Sequence, residues 1–191
     1  MKTNDSFNIS ADWKLEYFYN HGKDDQELFY AEEEKNVITA FGRQLVALNL
    51  FGLAGSGTCL FLAAGSGNTA AAYTDTRLQA ELIANGTRKG LLNGSGGTLT
   101  AANVIFSAYT DTTVGSPGQN YFYSVSVQAT YNGASDLNVN QSFQEFALAS
   151  VAACPATPTG TSGGIFNHYV AAAGIPLLST VTLVVTVTLH F

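Results

Sequence analysis

Positive charge is scarce in this sequence: eight Lys and Arg stand among 191 residues, against fourteen Asp and Glu. A nucleic-acid surface needs clustered cations to neutralise phosphates, so the net charge of −6 and the scatter of the few cations exclude DNA and RNA as expected partners. Cysteine is rarer still. Cys59 and Cys154 lie far apart and outside any C-x-x-C spacing, which suits neither a zinc site nor a disulfide framework and leaves two buried free thiols as the expectation. Long apolar runs are also missing. The longest, "GIPLLSTVTLVVTVTLHF", is broken by Pro176 and by alternating threonines, and is too short and polar for a membrane span. The start, "MKTNDSFNISADWK", lacks the apolar stretch of a signal peptide. These absences predict a soluble chain with no membrane partner.

What is present is enough apolar residue for one substantial core, at 46% of the chain. Charge is unevenly placed. Nine of the fourteen acids fall in residues 1–35, whereas residues 36–191 hold five acids and four basic side chains. Two regions are therefore expected: an acidic, aromatic-rich N-terminal arm over 1–35 and a single β-rich domain over 36–191. So little charge over the body is unusual for a free monomer, and burial against other subunits would account for it. The arm's Trp13, Tyr17 and Phe18 stand at helical spacing, and with Phe29 and Tyr30 they form the candidate partner interface. A docking stripe and a flap over the body's own core both fit.

Periodicity supplies the fold class. In "NVITAFGRQLVALNLFG", Val37, Phe41, Leu45 and Leu48 line one helical face, with an end expected near Gly52 or Gly55. "TCLFLAAG" reads as a short buried strand, and "TDTRLQAELIANGTRK" as a turn and short helix capped by Thr74 or Asp75. From residue 98 the period becomes two. Val125, Val127, Ala129 and Tyr131 share one face, and Val181, Leu183, Val185, Val187 and Leu189 another. The pattern predicts a mainly β chain, an antiparallel sandwich with one or two short helices from the N-terminal half, with α+β as the alternative.

The chemistry-bearing motifs are weak. Gly65-Ser66-Gly67-Asn68-Thr69-Ala70 matches G-x-G-x-x-A after a strand, but the acid and the parallel strand of a dinucleotide fold do not follow, and no lysine makes it a P-loop. The glycines read instead as positions of positive φ at a strand exit. His21, His168 and His190 are widely separated and read as surface or edge-strand residues. Asp75 and Glu81 read as a helix cap and as partners for Arg77 or Arg88. The acidic triplet Glu32-Glu33-Glu34 reads as a solvated run. No catalytic, metal or cofactor residues are expected, and the chain is expected not to be an enzyme.

The order of these short elements nonetheless resembles a known module. Thr39-x-x-Gly42, a strand ending in Gly65-x-Gly67, then Asp75-Thr76-x-Leu78, Glu81 and Arg88 occur in sequence; "FQEFALASVA" follows with Glu145, and "GIFNHYV" with His168 at a basic position. This is similar to the N-terminal module of tail-collar fibre proteins of tailed bacteriophages, with Phe146-Ala147 where isoleucine-glycine is usual. The resemblance implies a virion structural protein, tail- or neck-associated, assembled in the host cytoplasm. Its partners would be other copies of itself, in a trimer or ring, and neighbouring virion proteins. A capsid-surface decoration protein and a carbohydrate-binding sandwich remain the other readings.

Overall fold

The computed structural model describes residues 9–51, 58–82, 88–111, 118–135, 142–150 and 164–191. In chain order these hold β1 (Ser10–Tyr19), β2 (Glu27–Lys35), β3 (Val37–Ile38), α1 (Ala40–Leu50), β4 (Phe61–Gly65), β5 (Lys89–Gly90) and β6 (Leu92–Asn93). Then come β7 (Val104–Asp111), β8 (Gly118–Asn132), β9 (Ser142–Ala149), β10 (Asn167–Pro176) and β11 (Val181–His190). One antiparallel sheet runs β2-β1-β11-β8-β6, with β7 also on β8; the other runs β3-β10-β9-β4-β5. The protein is mainly β, two antiparallel sheets packed as a sandwich.

Strict alternation makes β11 and β8 the spine of the first sheet. Val127, Ala129 and Tyr131 of β8 and the odd-numbered apolar residues of β11 are buried, while Ser126 and Thr188 meet across the other face at 2.8 Å. Facing them, Leu62 of β4, Phe143, Phe146 and Leu148 of β9 and Tyr169 of β10 complete the core. Aromatic rings join the layers: Trp13 stacks on Tyr169 at 5.4 Å, and Tyr131, against Phe143 at 5.3 Å, sends its hydroxyl to the Leu62 carbonyl at 3.0 Å.

Helix α1 begins where the sequence gives it a cap. The Thr39 hydroxyl accepts from the Gly42 N–H at 3.0 Å and donates to the Ile165 carbonyl at 2.6 Å, which caps the helix and docks it on the residues leading into β10. The helix ends at Leu50, and Phe41, Gly42 and Leu45 are its buried residues. Val37, expected on the helical face, belongs to β3 instead.

Residues 10–35 are not a solvated arm at helical spacing. They form the hairpin β1–β2, and β1 pairs with β11 along its whole length from Ser10↔His190 to Tyr19↔Val181. Ala11, Trp13, Leu15 and Tyr17 are fully buried. Alternation, not helical periodicity, governs this stretch, because a sheet face open beside β11 buries them. No helix forms over the described part of 74–88. Residues 136–141 and 151–163, Cys154 among them, lie outside the described residues; Cys59 is a free thiol.

Candidate functional site

Beyond the main core, the outward side of the second sheet carries a small apolar cluster, Ala63, Leu78, Ala147, Ala149 and Ile165, under the segment 66–82. The same side of β9 presents Glu145, and the segment closes over it. Gly65 pairs with Glu81, Ser66 N–H reaches Ala80 O at 2.9 Å, and Leu82 N–H reaches Ala64 O at 2.9 Å, so the segment doubles back on the end of β4.

Glu145 is the centre of this closure. Its Oε1 accepts from the N–H groups of Gly67 at 3.1 Å and Ala80 at 2.6 Å; its Oε2 accepts from Gln79 N–H at 2.8 Å and from His168 Nε2 at 3.2 Å. The other imidazole nitrogen, Nδ1, lies 2.6 Å from Asp75 Oδ2, which also accepts the Ala72 N–H at 2.7 Å. Glu145 and His168 are fully buried. Both ring nitrogens face carboxylate oxygens, so the imidazole serves as a double donor and is the imidazolium.

The electrostatics agree with that protonation. Burial pushes the Glu145 carboxyl up, but the His168 hydrogen bond and those from Ala80, Gln79 and Gly67 outweigh it, and the group rests below its usual 4.5. Burial pushes His168 down, yet its bonds to Glu145 and Asp75 and their charges win, and it rests above its usual 6.5.

The glycines of G-x-G belong to this site for a reason other than the expected one. Among the described residues only Gly22 and Gly96 among glycines have positive φ. A Cβ on Gly65 or Gly67 would instead run into the Glu145 side chain. Beside them the Arg88 guanidinium grips Glu81 through Nε to Oε1 at 2.8 Å and Nη2 to Oε2 at 3.0 Å, both side chains buried. The expected Glu81–Arg88 partnership is therefore present, while Asp75 holds His168 rather than a helix. His168, expected at the surface or on an edge strand, lies in β10 and is the most enclosed of the three histidines; His190 contacts Asp12 at 2.9 Å, and His21 is exposed beside the Phe18 ring at 5.1 Å.

The candidate partner residues are split by the hairpin. Trp13 and Tyr17 are core and cannot dock a partner. Phe18 and Tyr30 are half-buried and Phe29 is 38% exposed. Tyr17 gathers Phe29 and Tyr30 edge-on at 5.8 and 5.7 Å.

The acidic triplet is not uniformly solvated either. Glu32 accepts from Tyr30 Oη at 2.7 Å, from the Tyr169 hydroxyl and from Ala172 N–H at 2.9 Å, fastening the edge strand β2 to β10 of the opposite sheet. The Glu32 bond, with some burial, pushes the Tyr30 phenol up to about 12; burial first, then the same carboxylate, raises Tyr169. A cleft of about 430 Å³ lies alongside, lined by Glu32, Glu34, Asn36, Asn68, His168 and Tyr169. No group of three His, Cys, Asp or Glu placed to hold a metal occurs among the described residues, and no helix there is long and apolar enough to cross a membrane.

No family model, no curated protein and no solved structure matches this chain. Gly65, Gly67, Asp75, Glu145 and His168, which the sequence singled out one by one but not as a site, come together here; no local spacing pointed to that meeting. Glu32 carried no comparable signal.

Proposed function

We propose that this chain is a non-catalytic structural subunit of a tailed-phage virion, tail- or neck-associated, that acts by packing against further copies of itself and against neighbouring virion proteins. The observation that supports this is the saturation of the Glu145–His168–Asp75 chain. Glu145 has four acceptor directions and four donors, and both nitrogens of His168 are bonded to carboxylates, so both groups are committed to contacts within the fold. The residues that carry the likeness to the tail-collar module are thus spent on holding one loop to one sheet, as a scaffold requires. The nearly uncharged body supports the second half of the reading, since subunit contacts remove surface that a monomer would charge.

The test is the copy number of this chain in purified virions, measured by quantitative mass spectrometry against the major capsid protein. A low copy number typical of a tail or neck ring is expected. A number comparable to the capsid protein would move the chain to the capsid surface as a decoration protein, and its absence from particles would overturn the reading.

A further inference from the structure

Strand β8 is longer than the sheet around it. Its pairing with β11 runs from Asn132 to Ser124, and beyond that point residues 118–123 have β7 as their ladder partner, from Phe106↔Tyr123 to Asp111↔Gly118. Apart from the two bonds between Tyr123 and Phe191, a two-stranded ribbon leaves the sandwich there. Over six to seven residues at about 3.3 Å each it extends roughly 20 Å. A ribbon of two strands alone is marginal in water and needs a covering surface. Its sequence, "VIFSAYTD" and "GQNYFY", holds five aromatics and a single charge, Asp111. At its root Ile105 is 59% and Tyr123 53% exposed, although Tyr123 continues the inward-facing series that buries Val127 and Ala129.

At the same end of the sandwich lies an apolar groove of about 590 Å³ between α1, the start of β4 and the end of β11. Leu45, Val46, Leu50, Cys59, Leu60 and Phe191 line it, and no Asp, Glu, Lys or Arg does. Leu50 is 75% and Leu60 47% exposed. Phe191 joins groove to ribbon, since its N–H and carbonyl bond Tyr123 at 2.9 and 3.2 Å. The ribbon therefore starts at the lip of the groove.

We propose that the β7–β8 ribbon of one copy fills the groove of another. Ile105 and Tyr123 at the ribbon's root and Leu50 and Leu60 of the groove are exposed apolar side chains of the kind that assembly covers, and an aromatic sequence with one charge meets a lining with none. Passing the ribbon to a neighbour makes a heterologous contact, which forms a ring where the rotation between copies closes, and exchanging it reciprocally closes a dimer. This rests on the self-assembling reading above and supplies the surface for it.

The experiment uses the full chain, with sedimentation and light scattering of the wild type, Ile105→Asp and Leu50→Asp. Both sites are exposed, so each variant keeps its circular dichroism and melting temperature. A closed oligomer is expected for the wild type, with each substitution weakening association about tenfold or more. A photoreactive residue at position 105, in a mixture of light- and heavy-nitrogen protein, then joins residues 45–60 of the opposite label. An oligomer left intact by both variants, or a link from ribbon to ribbon, overturns this contact and leaves self-assembly standing. A wild type that is monomeric at every concentration overturns both.

Discussion

Four donors converge on the Glu145 carboxylate, and that saturation decides what a substitution there does. Glu145→Gln keeps the shape, but it replaces one acceptor oxygen by an N–H₂ aimed at donors and removes the charge that His168 faces. A loss of about 3–5 kcal/mol in urea denaturation is expected, as for breaking one side of a buried pair. Amide exchange at Gly67, Gln79 and Ala80 should quicken with it. The same network fixes a pH window. Glu145 titrates lower in the folded chain, so its contribution is complete above pH 4.5 and is lost as pH falls through the lowered value. His168 titrates higher when folded, so its contribution is complete below pH 6.5 and is lost as pH rises through the raised value. Melting temperature against pH should therefore be highest between these two values, and His168→Asn should flatten the alkaline limb. A wild-type profile already flat above pH 6.5 would refute the imidazolium.

Among the elements, α1 and the hairpin β1–β2 show what local pattern can and cannot tell. The apolar face of α1 was legible, but its start was not: Val37 falls at helical spacing with Phe41, Leu45 and Leu48, and it drew the helix past Thr39, the residue that caps it. Thr39→Ala should cost about 1–2 kcal/mol in chemical denaturation, since it also leaves the buried Ile165 carbonyl without its donor. The alternation of β8 and β11 was legible for a similar reason: one buried face prints itself directly on the sequence. The hairpin was misread because Trp13 and Tyr17, four apart, share a face in a helix and in a strand alike. Ala11 and Leu15, buried with them, and Asp12, Lys14 and Glu16 between them, carry the period of two. Asp75 looked like a helix cap because the partner it uses, His168, lies 93 residues away, beyond any local rule. Trp13→Ala should accordingly behave as a core truncation, costing about 3–5 kcal/mol, rather than as the loss of a docking contact.

At the level of the whole molecule, the hairpin joins parts that its charge pattern seemed to set apart. Strand β1 covers one side of β11 over ten residue pairs, and it sends Trp13 between Phe146 and Tyr169 of the opposite sheet. Strand β2 then reaches across the same gap, Glu32 taking donors from Tyr169 and Ala172 of β10. Removing residues 1–35 would leave β11 with a bare edge of ten residues, a cavity where five buried side chains stood, and Tyr169 without its acceptor. Losses of this size exceed the roughly 5–15 kcal/mol that holds a domain of this kind folded. The chain 36–191 should therefore lack near-ultraviolet circular dichroism and a cooperative melt, whereas a detachable arm would leave both unchanged. Adding residues 1–35 back as a separate peptide should restore the signal, because β1 pairs with β11 along its whole length and folding is complete only when both strands are present.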